Sequence, residues 1–299
     1  MKAFPSLVLG LVLLEVTSGG LYADPYGDAV MRDKPFAYYR LDEVGATAPT
    51  PNGLAPKPQG FMQSRLAKPV AAPAILDQMK AHPGVFVNGP SVGLPGAITT
   101  NPTNNALSFS RVASQHVRLT KLGNFGRVMA SGFSVEYWLK SNDGTPHQTV
   151  LGTANDGGYV TDFLIDIGYN GVPGRLRLYY RDDKFQRYEA DFLPGETVVN
   201  LYDDRWHHVV HVYDPKAATV DERMLLYVDG IRQAMTVTLR DKAPSTSSFK
   251  NPMTLGAMNL RGKLQDFLQG SLDEVAFYNT SLSESQIQAH FQAATSASK

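Results

Sequence analysis

Asp162 and Asp166 stand four residues apart in Asp162-Phe-Leu-Ile-Asp166, a candidate paired-carboxylate site. Two carboxyl groups that cleave a glycosidic bond must lie about 5–9.5 Å apart. On an extended strand this spacing separates them by about 13 Å, with Leu164 between. Phe163, Ile165 and Ile167 have the parity of a core face, so Asp162, Leu164 and Asp166 face outward. On the next run Leu176, Leu178 and Tyr180 face inward, and Arg175, Arg177, Tyr179 and Arg181 outward. A hairpin around residues 168–174 then sets Asp166 opposite Arg175 or Arg177. Such a cross-strand ion pair contributes about 0.2–1 kcal/mol and accounts for these residues better than catalysis does.

His207, His208 and His211 resemble a metal cluster only on paper. On a strand His208 points away from the other two, and His207 and His211 are again about 13 Å apart. Turn hydrogen bonding and partial burial suit them better. Gly89-Pro-Ser-Val-Gly93 fits the nucleophile-elbow pattern, but Leu94-Pro95-Gly96 follows where a helix must start. There is no phosphate-cradling loop and no dinucleotide fingerprint, which leaves nucleotide and redox cofactors without support.

Two acidic pairs, Asp42-Glu43 and Asp273-Glu274, sit near the two ends of the chain. Either Glu43 and Asp273 hydrogen-bond turn amides, or the pairs close a structural calcium site, for which hard oxygen ligands are suited. Sugar binding requires aromatic faces beside hydrogen-bonding groups. Outward Tyr179 with Arg177, Asp162 and Asp166 forms one such set. Glu136 and Trp138 form a second if their sheet face is open, since their parity is opposite to Phe133, Val135, Tyr137 and Leu139. Trp206 reads as core.

The elements that position these residues are short and extended. From Ala106 onward about a dozen alternating runs are separated by turn chemistry, including Asn142-Asp-Gly, Asn170-Gly and Asp229-Gly230. Strands with no interleaved helices predict antiparallel sheets packed face to face. Ser283-Glu-Ser-Gln286 fits a capping box, and Ile287, His290 and Phe291 recur at helical spacing, so one short helix closes the chain. Nine prolines between Pro49 and Pro95 argue against long strands there. Residues 74–81 suggest a short helix, and residues 54–83 a surface insertion in a single domain spanning 24–299.

Composition narrows the classes. The 299 residues carry 28 Lys plus Arg against 28 Asp plus Glu, which gives nucleic acid no electrostatic footprint. With no cysteine, disulfides and thiolate zinc sites are excluded. Lys2, the apolar run Leu7–Leu14 and Leu21-Tyr-Ala23 have the three parts of a signal peptide cleaved near Ala23. That run is too short to span a bilayer, and no later stretch reaches 18 apolar residues, so a secreted protein without membrane insertion is expected.

Several stretches in order resemble the laminin-G-like, concanavalin A-like superfamily. They include Pro35-Phe-Ala-Tyr-Tyr-Arg-Leu-Asp-Glu43, Phe133-Ser-Val-Glu-Tyr-Trp-Leu-Lys140, Trp206-His-His-Val-Val-His-Val-Tyr213, Leu225-Leu-Tyr-Val-Asp-Gly230 and Leu268-Gln-Gly-Ser-Leu-Asp-Glu-Val-Ala-Phe-Tyr-Asn279. The resemblance implies an all-β, antiparallel jelly-roll sandwich and a binding, adhesive or accessory role. Glycosidases of that fold typically carry carboxylates at alternate positions of one strand, and no Glu-x-Asp-x-Glu run occurs in this chain. The expectation is therefore a non-catalytic module for carbohydrate or a glycoconjugate, with adhesion to a protein partner as the alternative and glycoside cleavage a distant third.

Overall fold

The structure is a computed structural model and describes residues 24–43, 74–119, 122, 125–154, 161–168, 175–184, 187–192, 199–219, 221–234, 236–240, 247, 252–260 and 263–296. The proposed leader and most of the 54–83 segment lie outside them.

Two antiparallel sheets form a sandwich. The first runs β14 (Ile231–Arg232), β13 (Met224–Val228), β12 (His207–Tyr213), β7 (Phe133–Lys140), β19 (Gly270–Tyr278), β5 (Asn105–Phe109) and β4 (Ser91–Pro95), with β1 (Ala37–Tyr39) also paired to β19. The second runs β15 (Thr236–Arg240), β11 (Arg187–Phe192), β10 (Leu176–Arg181), β9 (Thr161–Ile167), β8 (Gln148–Ala154), β16 (Met253–Leu255), β6 (His116–Leu119), β3 (Gly84–Val87) and β2 (Ala74–Ile75). A hairpin of β17 (Met258–Leu260) and β18 (Lys263–Gln265) stands apart from both ladders.

Alternation along the strands decides the core. Phe133, Val135, Tyr137 and Leu139 of β7 meet Phe163, Ile165 and Ile167 of β9 and Leu176, Leu178 and Tyr180 of β10 between the sheets. Burying each such side chain contributes about 1.5–3 kcal/mol. The expected hairpin forms in the register that sets Arg177 against Asp166.

The other face of the first sheet carries a second apolar layer. Helix α1 (Pro25–Arg32) and helix α3 (Glu284–Thr295) pack there, separately from the short α2 (Phe125–Val128). Tyr26 and Val30 of α1, and Ile287 and Ala294 of α3, join Trp138, Val210, Val212 and Tyr278. The α3 capping box is present, with Ser283 and Gln286 satisfying each other's backbone N–H groups. Helix α1 was not expected, although its start is marked by N-cap Asp24, which accepts the Gly27 N–H at 3.1 Å, and by Pro25 in the first turn.

Residues 74–81 are not a helix. Ala74–Ile75 pair with β3, and the chain then turns around Asp77, whose carboxylate accepts the N–H groups of Tyr38, Met79, Ala81 and His82. Those four bonds offer the backbone an alternative to helical pairing.

Candidate ligand site

Strand β7 leaves Trp138 and Lys140 at one end of the first sheet, beside His207 at the start of β12. The Asp229-Gly230 turn closes the neighbouring hairpin, and Asp229 and Gly230 both adopt positive φ, 52° and 74°, as an Asp-Gly turn of this kind needs. A Cβ at Gly230 would come within 3.3 Å of Phe291, so the bare backbone lets α3 seat against the turn. Thr99 and Thr100 hold the far end of that helix by donating to Ala294 O at 3.0 Å and Ala293 O at 2.9 Å.

Between these elements lies a cavity of about 550 Å³. Trp138, Trp206 and Phe291 supply its aromatic surface, and Lys140, Asp204, Arg205, His207 and Asp229 its charged groups. Trp138 stacks on Phe291 with ring centroids 6.0 Å apart and 22° between the planes, leaving half-buried Trp206 as the aromatic without a ring partner among the described residues. The Trp138 indole N–H is buried and has no hydrogen-bond partner among the described residues. A donor in that state is costly unless a water or ligand satisfies it.

His207 is clamped by two carboxylates: Nδ1 lies 2.8 Å from Asp229 Oδ2, and Nε2 lies 3.0 Å from Asp203 Oδ1. Burial works to lower its pKa, but these bonds outweigh it and raise the pKa above the ordinary histidine value. Slight burial opposes the effect at Asp203, where hydrogen bonds from Arg205 and His207 bring the carboxyl pKa down to about 2. Asp203 is thus ionised at neutral pH, and His207, with a carboxylate against each ring nitrogen, satisfies both contacts only as the protonated ring.

The residues anticipated as ligand contacts fall in three places. Trp138 lines the cavity. Glu136, two residues earlier on the same face, is sealed beneath the helices: it accepts from Tyr26 and Tyr278 hydroxyls at 2.9 and 2.7 Å, from His208 at 2.7 Å and from His290 at 3.0 Å. The face on which it was to meet a sugar is closed by α1 and α3, which the parity of one strand does not reveal. On the second sheet Arg177 donates to Asp166 through Nε at 3.0 Å and Nη2 at 2.6 Å, and to Glu189 at 3.2 Å. Tyr179 and Leu164 are covered by Met258 of the β17–β18 hairpin. The Asp162 side chain lies outside the described residues.

Glu43 and Asp273 take backbone partners. Glu43 accepts the Leu76 N–H and Asp273 the Ala97 N–H, at 2.9 and 2.8 Å. Each keeps one buried oxygen without a partner, and burial raises both pKa values, Asp273 far more. The acidic residues around them already face a cation, because Arg40 pairs with Asp24, Asp42 and Glu274. No group of three or more histidine or acidic side chains fit to hold a metal occurs among the described residues. This donor set, already paired with the Arg40 guanidinium, does not fit a calcium ion.

Trp206, His207 and Asp229 were not singled out as ligand contacts. Trp206 directly precedes β12 and reads as core; only the approach of loop 199–206 to α3 turns that corner into a cavity.

Residues 111–288 match the family model described as the concanavalin A-like lectin/glucanases superfamily. The chain belongs to this superfamily. Solved structures similar to this superfamily member include the binding domain of Paraclostridial Mosquitocidal Protein 1, at 12% identity and TM-score 0.53, covering 73% of this chain and 49% of that one. The binding domain of botulinum neurotoxin DC is similar in two complexes. With SialylT it gives 13% identity, TM-score 0.51 and coverage of 74% and 49%; with rat synaptotagmin II, 12%, 0.52 and again 74% and 49%. The chain spans about half the length of these structures, and at such identities the likeness is one of fold. No curated protein sequence matches the chain.

Proposed function

We propose that the protein is an exported, non-catalytic binding module that takes a carbohydrate in the cavity beneath Trp206. The observation that carries this reading is the combination in one cavity of a half-buried tryptophan and a ring of charged side chains. Apolar ring faces against a sugar's C–H surface, with carboxylate and N–H groups for its hydroxyls, are what carbohydrate recognition needs. The non-catalytic part rests on the carboxylates: Glu136 is sealed, Asp166 is bound by Arg177, and Asp203 is held ionised by its partners. Export rests on the leader-like first 23 residues.

Thermal unfolding in the presence of an oligosaccharide panel tests it, since a ligand of the folded state raises the melting temperature by mass action. A saturable rise with one glycan class, absent in Trp206→Ala, is the expected result. No rise with any glycan would shift the reading to adhesion through a protein partner.

A further inference from the structure

Resting on that reading, we propose that the cavity selects a neutral sugar ring packed against Trp206, with Asp204 accepting a pair of adjacent hydroxyls. The charges around the cavity are matched one to one. Arg205 Nε donates to Asp203 at 2.6 Å, His207 lies between Asp203 and Asp229, and Lys140 faces Asp204. Among the described residues, three basic groups against three carboxylates leave no spare cation for the carboxylate of an acidic sugar, whose desolvated charge would lack a partner.

Asp204 differs from the other two carboxylates. Asp203 and Asp229 are consumed by His207, Arg205 and backbone N–H groups. The Asp204 side chain is 61% exposed, and its one charged neighbour, Lys140 Nζ, lies 3.8 Å away, outside hydrogen-bond distance. Its backbone is held in the left-handed region at φ 61°, with the N–H donating to Ser141 O at 3.1 Å. That fixed backbone presents two carboxylate oxygens at the cavity rim, and a carboxylate accepts two adjacent hydroxyls readily. Half-buried Trp206 offers a ring face in the same cavity.

The chain has two tryptophans, and both line this cavity, so intrinsic fluorescence reports directly on occupancy. The full chain is titrated with neutral methyl glycosides of glucose, galactose, mannose and xylose, and separately with glucuronate and galacturonate. Asp204→Asn is titrated in parallel, with circular dichroism as the folding control. Asparagine tolerates the left-handed backbone, so Asp204→Asn keeps the loop. The expected result is a saturable change with a neutral glycoside and not with the uronates, weakened about tenfold by Asp204→Asn as a charged hydrogen bond is lost. Uronates binding better than neutral glycosides, or Asp204→Asn binding unchanged, overturns the inference while leaving the carbohydrate reading in place. No response to any of these sugars overturns both.

Discussion

His290 presents Nδ1 to both carboxylate oxygens of Glu136, at 3.1 and 3.0 Å, and Nε2 to Asp33 at 2.9 Å. One imidazolium thereby ties α3 to the centre of β7 and to the end of α1. With both ring nitrogens facing carboxylates, only the protonated ring satisfies every contact. Burial opposes the charge, but Glu136 and Asp33 prevail and move the His290 pKa up to about 9. The helices that close the sheet face, and so wall the cavity, are held by this charged latch.

Removing one member of the latch strands the other charge. Glu136→Gln is expected to destabilise the protein by about 3–5 kcal/mol, the usual cost of breaking a buried pair from one side. Urea unfolding followed by circular dichroism measures it. A loss below about 1 kcal/mol would show that His290 is neutral and the helices are held by apolar packing alone.

Stability should fall toward both alkaline and acid pH, for different histidines. The His290 pKa is raised from about 6.5 to about 9, so its contribution is complete below about pH 6.5 and is lost as pH rises through about 9. Burial brings the His211 pKa down to about 3, so that ring favours folding above about pH 6.5 and loses this contribution as pH falls toward 3. Thermal melts across this range check the signs. His290→Gln should remove the alkaline limb; an unchanged limb would assign it to another group.

Much of this fold can be read from residue parity and turn chemistry. The Asp166–Arg177 register follows from outward positions flanking a Gly-rich turn, and the Asp229-Gly230 hairpin and the α3 capping box follow from local chemistry. Parity names the face on which Glu136 and Trp138 lie, but nothing within β7 says that two helices from opposite ends of the chain cover it. Ala74–Ala81 is too short for periodicity to separate strand from helix, and the hydrogen bonds of Asp77 decide it. The cavity is a product of five segments distant in sequence, which is why Trp206 passes for core in the sequence.

Arg177 should be needed where it stands. Arg177→Met leaves Asp166 buried against an apolar neighbour, a cost of about 1–3 kcal/mol for a lost charged hydrogen bond. Asp166→Asn should be milder, because the amide still accepts from the guanidinium. Equal losses in denaturant melts for the two variants would contradict a buried bidentate pair.

Calcium should not matter to stability. Arg40 already neutralises the acidic group at the β1–β19 junction, and the Arg40–Glu274 pair lies 3.3 Å apart with Glu274 buried. Melting temperatures in excess calcium and in EDTA are expected to agree. A calcium-dependent rise of several degrees would show that these carboxylates do bind the ion.

The central claim is that the cavity beneath Trp206 is a glycan site, and a glycan array probed in parallel with the full chain and with Trp206→Ala tests it most directly. Binding of one family of neutral glycans by the full chain, abolished in a Trp206→Ala variant with an unchanged far-ultraviolet spectrum, is the predicted result. Glycan binding that survives Trp206→Ala would place the site elsewhere on the sandwich and contradict the account.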